Sequence, residues 1–126
     1  MQQPHDNTLT HRIIGLAMKV HTQLGPGLLE SAYERCLCHE LEKTGIPYQR
    51  QIAMPLVYDG IELDCGYRAD LLIATEVIIE IKSVDQIQPL HEAQLLTYLR
   101  NSPCRIGLLI NFNTQSLKDG IRRRVL

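Results

Sequence analysis

The sequence predicts an α/β fold of element order α-α-β-β-β-α-β with a final added strand, a mixed central sheet flanked by helices. Three observations lead there. Apolar residues recur at three- and four-residue intervals as far as Gly45, the helical period. From Ile46 to Lys82 the pattern changes to runs of branched residues separated by turn signals, which reads as strands. A polar loop and a third helical stretch then precede an unbroken apolar run, RIGLLINF, at Arg105 to Phe112, suited to a strand buried in the sheet centre as a crossover partner.

In order, Leu9, Ile13, Leu16, Ala17, Val20 and Leu24 form one stripe, so the first helix spans about Thr8 to Leu24, with Asn7 or Thr8 as its cap. Gly25-Pro26-Gly27 ends it, because proline cannot continue the hydrogen-bond ladder. His11 and His21 are expected at the surface. A second helix follows Gly27 and buries Leu29, Ala32, Tyr33, Cys36, Leu37 and Leu41 before Gly45, with Glu34 and Glu40 solvated. Strand character from Ile46 to Tyr58 is broken by Pro55, a sign of an edge or a bulge. Asp59-Gly60 marks a tight turn, Ile61 begins a long second strand to Ile73, and Val77 to Lys82 is the third. The three form an antiparallel meander. Pro89 opens the third helix, which runs to about Asn101 with Leu96 and Leu99 toward the core. Leu117 to Leu126 fits a short helix or an added strand, and the strand Ile121 to Val125 is preferred.

Charges interrupt the most apolar hairpin. With a turn centred on Thr75, antiparallel register sets Asp70 opposite Glu80, and the two-residue period puts Lys82 on their face. Opposed like charges destabilise a hairpin, and a bound divalent cation relieves them. Asp70, Glu80 and Lys82 resemble the D-x(n)-(D/E)-x-K core of the PD-(D/E)XK nuclease superfamily, with Ala69 in place of the usual proline. Gly27-Leu28-Leu29-Glu30-Ser31-Ala32-Tyr33 resembles the signature of the GxxExxY protein family, a small bacterial group within that superfamily. Gln94-x-x-x-Tyr98 is similar to the helical QxxxY motif of RecB-like nucleases, and His91 shares that helix face. The resemblance covers about Ile13 to Leu126 and implies a restriction-endonuclease-like core, α-β-β-β-α-β, preceded by one helix.

It also implies an activity, metal-dependent hydrolysis of phosphodiester bonds in nucleic acid, DNA before RNA. Asp70, Glu80, the backbone carbonyl of Ile81 and Glu30 would then hold Mg²⁺ or Mn²⁺. Lys82 would orient or deprotonate the attacking water, or neutralise the pentavalent phosphorane, while Gln94 and Tyr98 position water or phosphate. Read from its residues alone, Glu30 is accounted for by the dipole of its helix. Tyr33 fits core packing and a site neighbour equally, and an isolated Glu-x-Lys on a strand is commonly a solvent-facing pair. The alternative function is therefore a catalytically silent nuclease-fold module that binds nucleic acid or protein.

Composition bounds these readings. The 126 residues suit a single domain, 1–126. Neither a membrane-spanning run nor a signal segment stands out, so a cytoplasmic location is expected. Cys36, Cys38, Cys65 and Cys104 lack paired zinc spacing and are read as buried, reduced thiols. A net charge of -1 weakens the case for a nucleic-acid partner, although bound Mg²⁺ would add positive charge at the site. Positive charge gathers at Arg122, Arg123 and Arg124, and at Arg100 and Arg105. A homodimer or a partner protein completing a basic groove fits this balance.

Overall fold

The computed structural model describes residues 4–126; the leading residues 1–3, part of the opening stretch read for a signal segment, lie outside the described residues. Helix α1 is Pro4–Leu24 and α2 is Glu30–Lys43. Strands follow at β1 (Tyr48–Ala53), β2 (Leu56–Tyr58), β3 (Ile61–Leu63), β4 (Arg68–Ile73) and β5 (Val77–Lys82). Helix α3 (Pro89–Arg100), strand β6 (Ile106–Asn111), a 3₁₀ turn at Leu117–Gly120 and strand β7 (Ile121–Val125) complete the chain. The main sheet has the order β1-β4-β5-β6-β7; β5 and β6 are parallel and the other neighbours antiparallel. No helix among the described residues is long and apolar enough to cross a membrane.

The sheet is covered on both faces. Ile13, Ala17 and Val20 of α1 and Tyr33, Leu37 and Leu41 of α2 pack on Leu71, Ile73, Ile79, Ile81, Leu108 and Ile110. Leu95, Tyr98 and Leu99 of α3 pack on Ala69, Ile78 and Leu109 from the other side. Strand β6 is buried at every position, as its apolar run requires. Its Gly107 lets α3 come close, since a Cβ there would stand 2.7 Å from Leu95 Cδ1.

Several expectations need correction. The meander is interrupted, because Pro55 cannot donate to a ladder and the chain leaves the sheet there to form a separate β2–β3 hairpin. The expected long second strand is thus two, parted by residues 64–67, where Gly66 takes φ 81°. Helix α1 begins at Pro4, so Asn7 and Thr8 lie inside it; Leu24 at its end is exposed. Leu29 precedes α2 and is exposed, Ala32 and Cys36 are only half-buried, and Glu34 takes a buried place. Glu40 accepts from Lys19 Nζ at 2.9 Å, an ion pair bracing α2 against α1. His21 is buried, with Nε2 2.8 Å from the Thr114 carbonyl oxygen, because it flanks the apolar stripe one residue after Val20. Leu96 is half-buried where Leu99 is fully so. Cys38 and Cys104 are buried thiols, Cys36 is half-buried, and Cys65 is exposed in the loop opened by Gly66.

Where β6 ends, Asn111 clamps the chain leaving β5. Its Oδ1 accepts from Val84 N at 3.0 Å and Asn113 N at 3.2 Å, and its Nδ2 donates to the Val84 carbonyl at 2.9 Å. Asn111 is 2% exposed, and truncating it takes the acceptor from the N–H groups of the half-buried Val84 and Asn113. Asn111→Ala is expected to cost about 2 to 3 kcal/mol in denaturant unfolding, near the low end of the one to three for each of the two N–H groups left unmet.

Candidate active site

Turn geometry sets the register on which everything else depends. Leu71 pairs with Ile79, Leu72 with Ile78 and Ile73 with Val77, across a three-residue turn in which Ala74 and Thr75 both have φ 54°. One step further Asp70 faces Glu80, as the sequence predicts, but here the ladder gives way to side chains. The Asp70 N–H donates to Glu80 Oε2 at 3.0 Å, and the Ile81 N–H donates to Asp70 Oδ2 at 2.7 Å. Each carboxylate is therefore fixed by a backbone donor belonging to the other's strand. Lys82, two residues after Glu80 on the same strand face, is half-buried.

Burial decides the charge state. Glu80 is 5% exposed, and desolvation, reinforced by the Asp70 charge, pushes its carboxyl up to about 8. Glu30 adds to this repulsion, while the Asp70 N–H and the Lys82 ammonium oppose it. In the metal-free protein Glu80 thus keeps its proton across a range where the unfolded chain, at an ordinary 4.5, has lost it. A folded state that binds the extra proton loses stability as pH rises. Denaturant unfolding in chelator is expected to show this contribution intact below about pH 4.5, falling progressively as pH rises to 8.

Glu30 comes to the same place from α2. Its Oε2 accepts from the Ser83 N–H at 3.2 Å, and Ser83 Oγ donates to the Leu28 carbonyl at 2.6 Å, tying the start of α2 to the end of β5. Tyr33 is both core and support. Its ring stacks on Phe112 at 4.4 Å, and its hydroxyl donates to the Gly25 carbonyl at 2.6 Å and accepts from Leu28 N at 3.1 Å. Gly25 and Gly27, at φ 70° and 98°, let the loop close around that hydroxyl. Leu28, Leu29, Glu30, Ser31, Glu34, Gln51, Asp70 and Ser83 line a cleft of about 520 Å³.

From the α3 side, Gln94 Nε2 donates to the Tyr98 hydroxyl at 3.0 Å, and that hydroxyl donates to the Arg68 carbonyl at 3.3 Å. Burial, then the nearby charges of Glu80 and Asp70, push the Tyr98 phenol up to about 12, so it stays a neutral donor. Gln94 and Tyr98 are joined to each other beside β4, and no hydrogen bond links them to the two carboxylates. His91 shares their helix face, but its Nδ1 accepts from the Gln88 N–H at 3.0 Å and caps the helix.

A family model described as PD-(D/E)XK nuclease superfamily matches residues 7–124. The chain belongs to that superfamily. The sheet of five strands between helices agrees with the restriction-endonuclease-like fold, and members of the superfamily generally use divalent metal ions. No curated protein and no solved structure shows a significant match to the chain.

The donor set in this superfamily member suits a hard cation. Asp70, Glu80 and Glu30 are oxygen donors, and their mutual repulsion is what such a cation offsets. Among the described residues no three His, Cys, Asp or Glu side chains already form a closed cage. A cation at this site would complete its coordination with water. The sequence reading misses Ser83, Asn111, Glu34 and Gln51. A signal existed for two of them: Glu34 lies one helical turn after Glu30, and Asn111 is the one polar residue after Arg105 in RIGLLINF.

Proposed function

We propose that the protein is a metal-dependent phosphodiesterase that hydrolyses nucleic acid, DNA in preference to RNA, and that it is a GxxExxY member of its superfamily. The observation that carries this reading is the opened ladder at Asp70 and Glu80, where two carboxylates occupy a place that hydrogen-bonded backbone would otherwise fill. Asp70 and Glu80 would hold Mg²⁺, or Mn²⁺ in its place, with the Ile81 carbonyl. Ile81 directs its N–H toward β4, and the carbonyl of a strand residue faces the same neighbour, which supports that role. Glu30 would complete the set across the cleft. When bound, the cation supplies water activation, charge neutralisation and help for the departing alkoxide.

The chain's own groups supply the rest. Lys82 would orient the attacking water or take its proton, or neutralise charge on phosphorus, and its nearness to Glu80 favours any of these. Gln94 would place water or phosphate through its second amide N–H, and Tyr98, whose one O–H goes to the Arg68 carbonyl, would help by holding Gln94. The chain is read as one domain working in the cytoplasm, with a second copy or a partner protein supplying basic surface. That need follows from a net charge of -1, since neutralised phosphates dominate affinity for nucleic acid. The same net charge favours the second reading, a silent module that binds nucleic acid or protein through this fold.

A panel of single-stranded, double-stranded and branched DNA and RNA, incubated with Mg²⁺ or Mn²⁺ and with chelator, separates the two. The enzyme cleaves at least one substrate with metal and none in chelator. A protein that binds a substrate and leaves it whole under every condition is the silent module.

A further inference from the structure

Gln51 stands where β1 should pair with Asp70, and the pair is missing. Arg50 pairs with Leu71 and Ile52 with Ala69 on either side, while Gln51 between them has φ 52°. A left-handed residue carrying a Cβ inside a strand is strained, and such strain gathers at functional sites. It removes one rung from the ladder, leaving the Asp70 N–H for Glu80 Oε2. The Gln51 side chain also turns onto the site. Its Nε2 lies 3.1 Å from Glu34 Oε1 and 3.3 Å from Asp70 Oδ1, so the two N–H groups of one amide can serve two carboxylates. Glu34 is a fixed anchor, 5% exposed and held by Arg50 Nε at 2.8 Å.

We propose that Gln51 is a positioning residue for the metal-binding carboxylates. Its backbone opens the ladder so that Glu80 reaches the Asp70 N–H, and its amide holds Asp70 Oδ1 while the Ile81 N–H holds Oδ2. The inference rests on the metal-dependent reading above. No other group in the cleft donates to Asp70 Oδ1 among the described residues, so an apolar side chain at 51 frees that carboxylate to turn.

The test is calorimetric titration of Mn²⁺ into the full chain, wild type beside Gln51→Met and Gln51→Gly, with a thermal midpoint for each. Methionine keeps the length and the backbone strain and loses both donors; glycine loses the donors and relieves the strain. Supporting partners of metal ligands typically change affinity about 10- to 100-fold, so both variants are expected to bind Mn²⁺ at least about tenfold more weakly. The midpoint should fall modestly for methionine, which leaves the buried Glu34 Oε1 without this donor, and less for glycine, where relief of strain offsets the same loss. Wild-type affinity in Gln51→Met, with wild type binding normally, overturns the positioning role and leaves the metal site standing. Absence of Mn²⁺ binding in wild type overturns the metal reading and this inference together.

Discussion

Asp70→Ala is expected to lower the proposed metal-dependent cleavage by about 10³-fold or more, the loss that follows when a group that places charge stabilisation at a reacting phosphate is removed. That corresponds to about 4 kcal/mol of transition-state stabilisation. The effect is large because Asp70 has two roles. Its Oδ2 takes the Ile81 N–H and so fixes the strand carrying Glu80 and Lys82, and its remaining oxygen faces the cleft. Lys82→Ala should lower cleavage by about 10² to 10⁴-fold, the range for a positioned proton-transfer group. Unlike Asp70→Ala it should leave Mn²⁺ affinity close to wild type, since an ammonium is no ligand. Cleavage that survives Asp70→Ala would assign any observed activity to another site or to a contaminant.

Glu80→Gln is expected to make the metal-free protein more stable and to abolish the proposed Mn²⁺ binding. Glu80 is buried against Asp70, and its carboxyl is pushed up to about 8. The neutral amide removes that repulsion while its carbonyl oxygen still accepts the Asp70 N–H, and its NH₂ can donate to the Asp70 carboxylate. At pH 8 the gain should be about 2 to 4 kcal/mol by urea denaturation, since each tenfold change in proton affinity between the folded and unfolded chain is worth about 1.4 kcal/mol. At pH 4.5, where Glu80 is already protonated in the folded wild type, the gain should shrink toward zero. Such a trade of stability against function is common at sites built from strained or repelling groups. A Glu80→Gln protein less stable than wild type at pH 8 would mean that the buried carboxylate is held by contacts stronger than the repulsion described.

The hairpin is the most legible part of the chain for a simple reason. A turn centred on Thr75 fixes which residues face each other, and the two-residue side-chain period then fixes Lys82, so local sequence is enough. The β6 strand is legible because an unbroken apolar run between turn signals suits a strand covered on both faces. Gln51 is the opposite case. Nothing in QRQIA marks a left-handed residue, and its proposed role arises from a side-chain contact with Asp70 of β4, nearly twenty positions away, and with Glu34 on another element. Ser83 depends likewise on the contact between the end of β5 and the loop before α2. The division of the second strand follows from Pro55 diverting the chain into its own hairpin, an effect legible as a break but not as a change of sheet. Among the residues named from the motifs, Asp70 and Glu30 line one cleft with Glu80 bonded to the Asp70 N–H, whereas Gln94 and Tyr98 hydrogen-bond to each other and to the Arg68 carbonyl.

The most direct measurement is the Mn²⁺ affinity of wild type compared with Asp70→Ala, by titration calorimetry at about pH 7.5, just below the value to which the Glu80 carboxyl is raised. Saturable binding in wild type, with proton release as Glu80 gives up its proton to the incoming cation and loss of binding in Asp70→Ala, is the result expected. Equal binding by both proteins, or none by wild type, would contradict the account of two opposed carboxylates as a metal site.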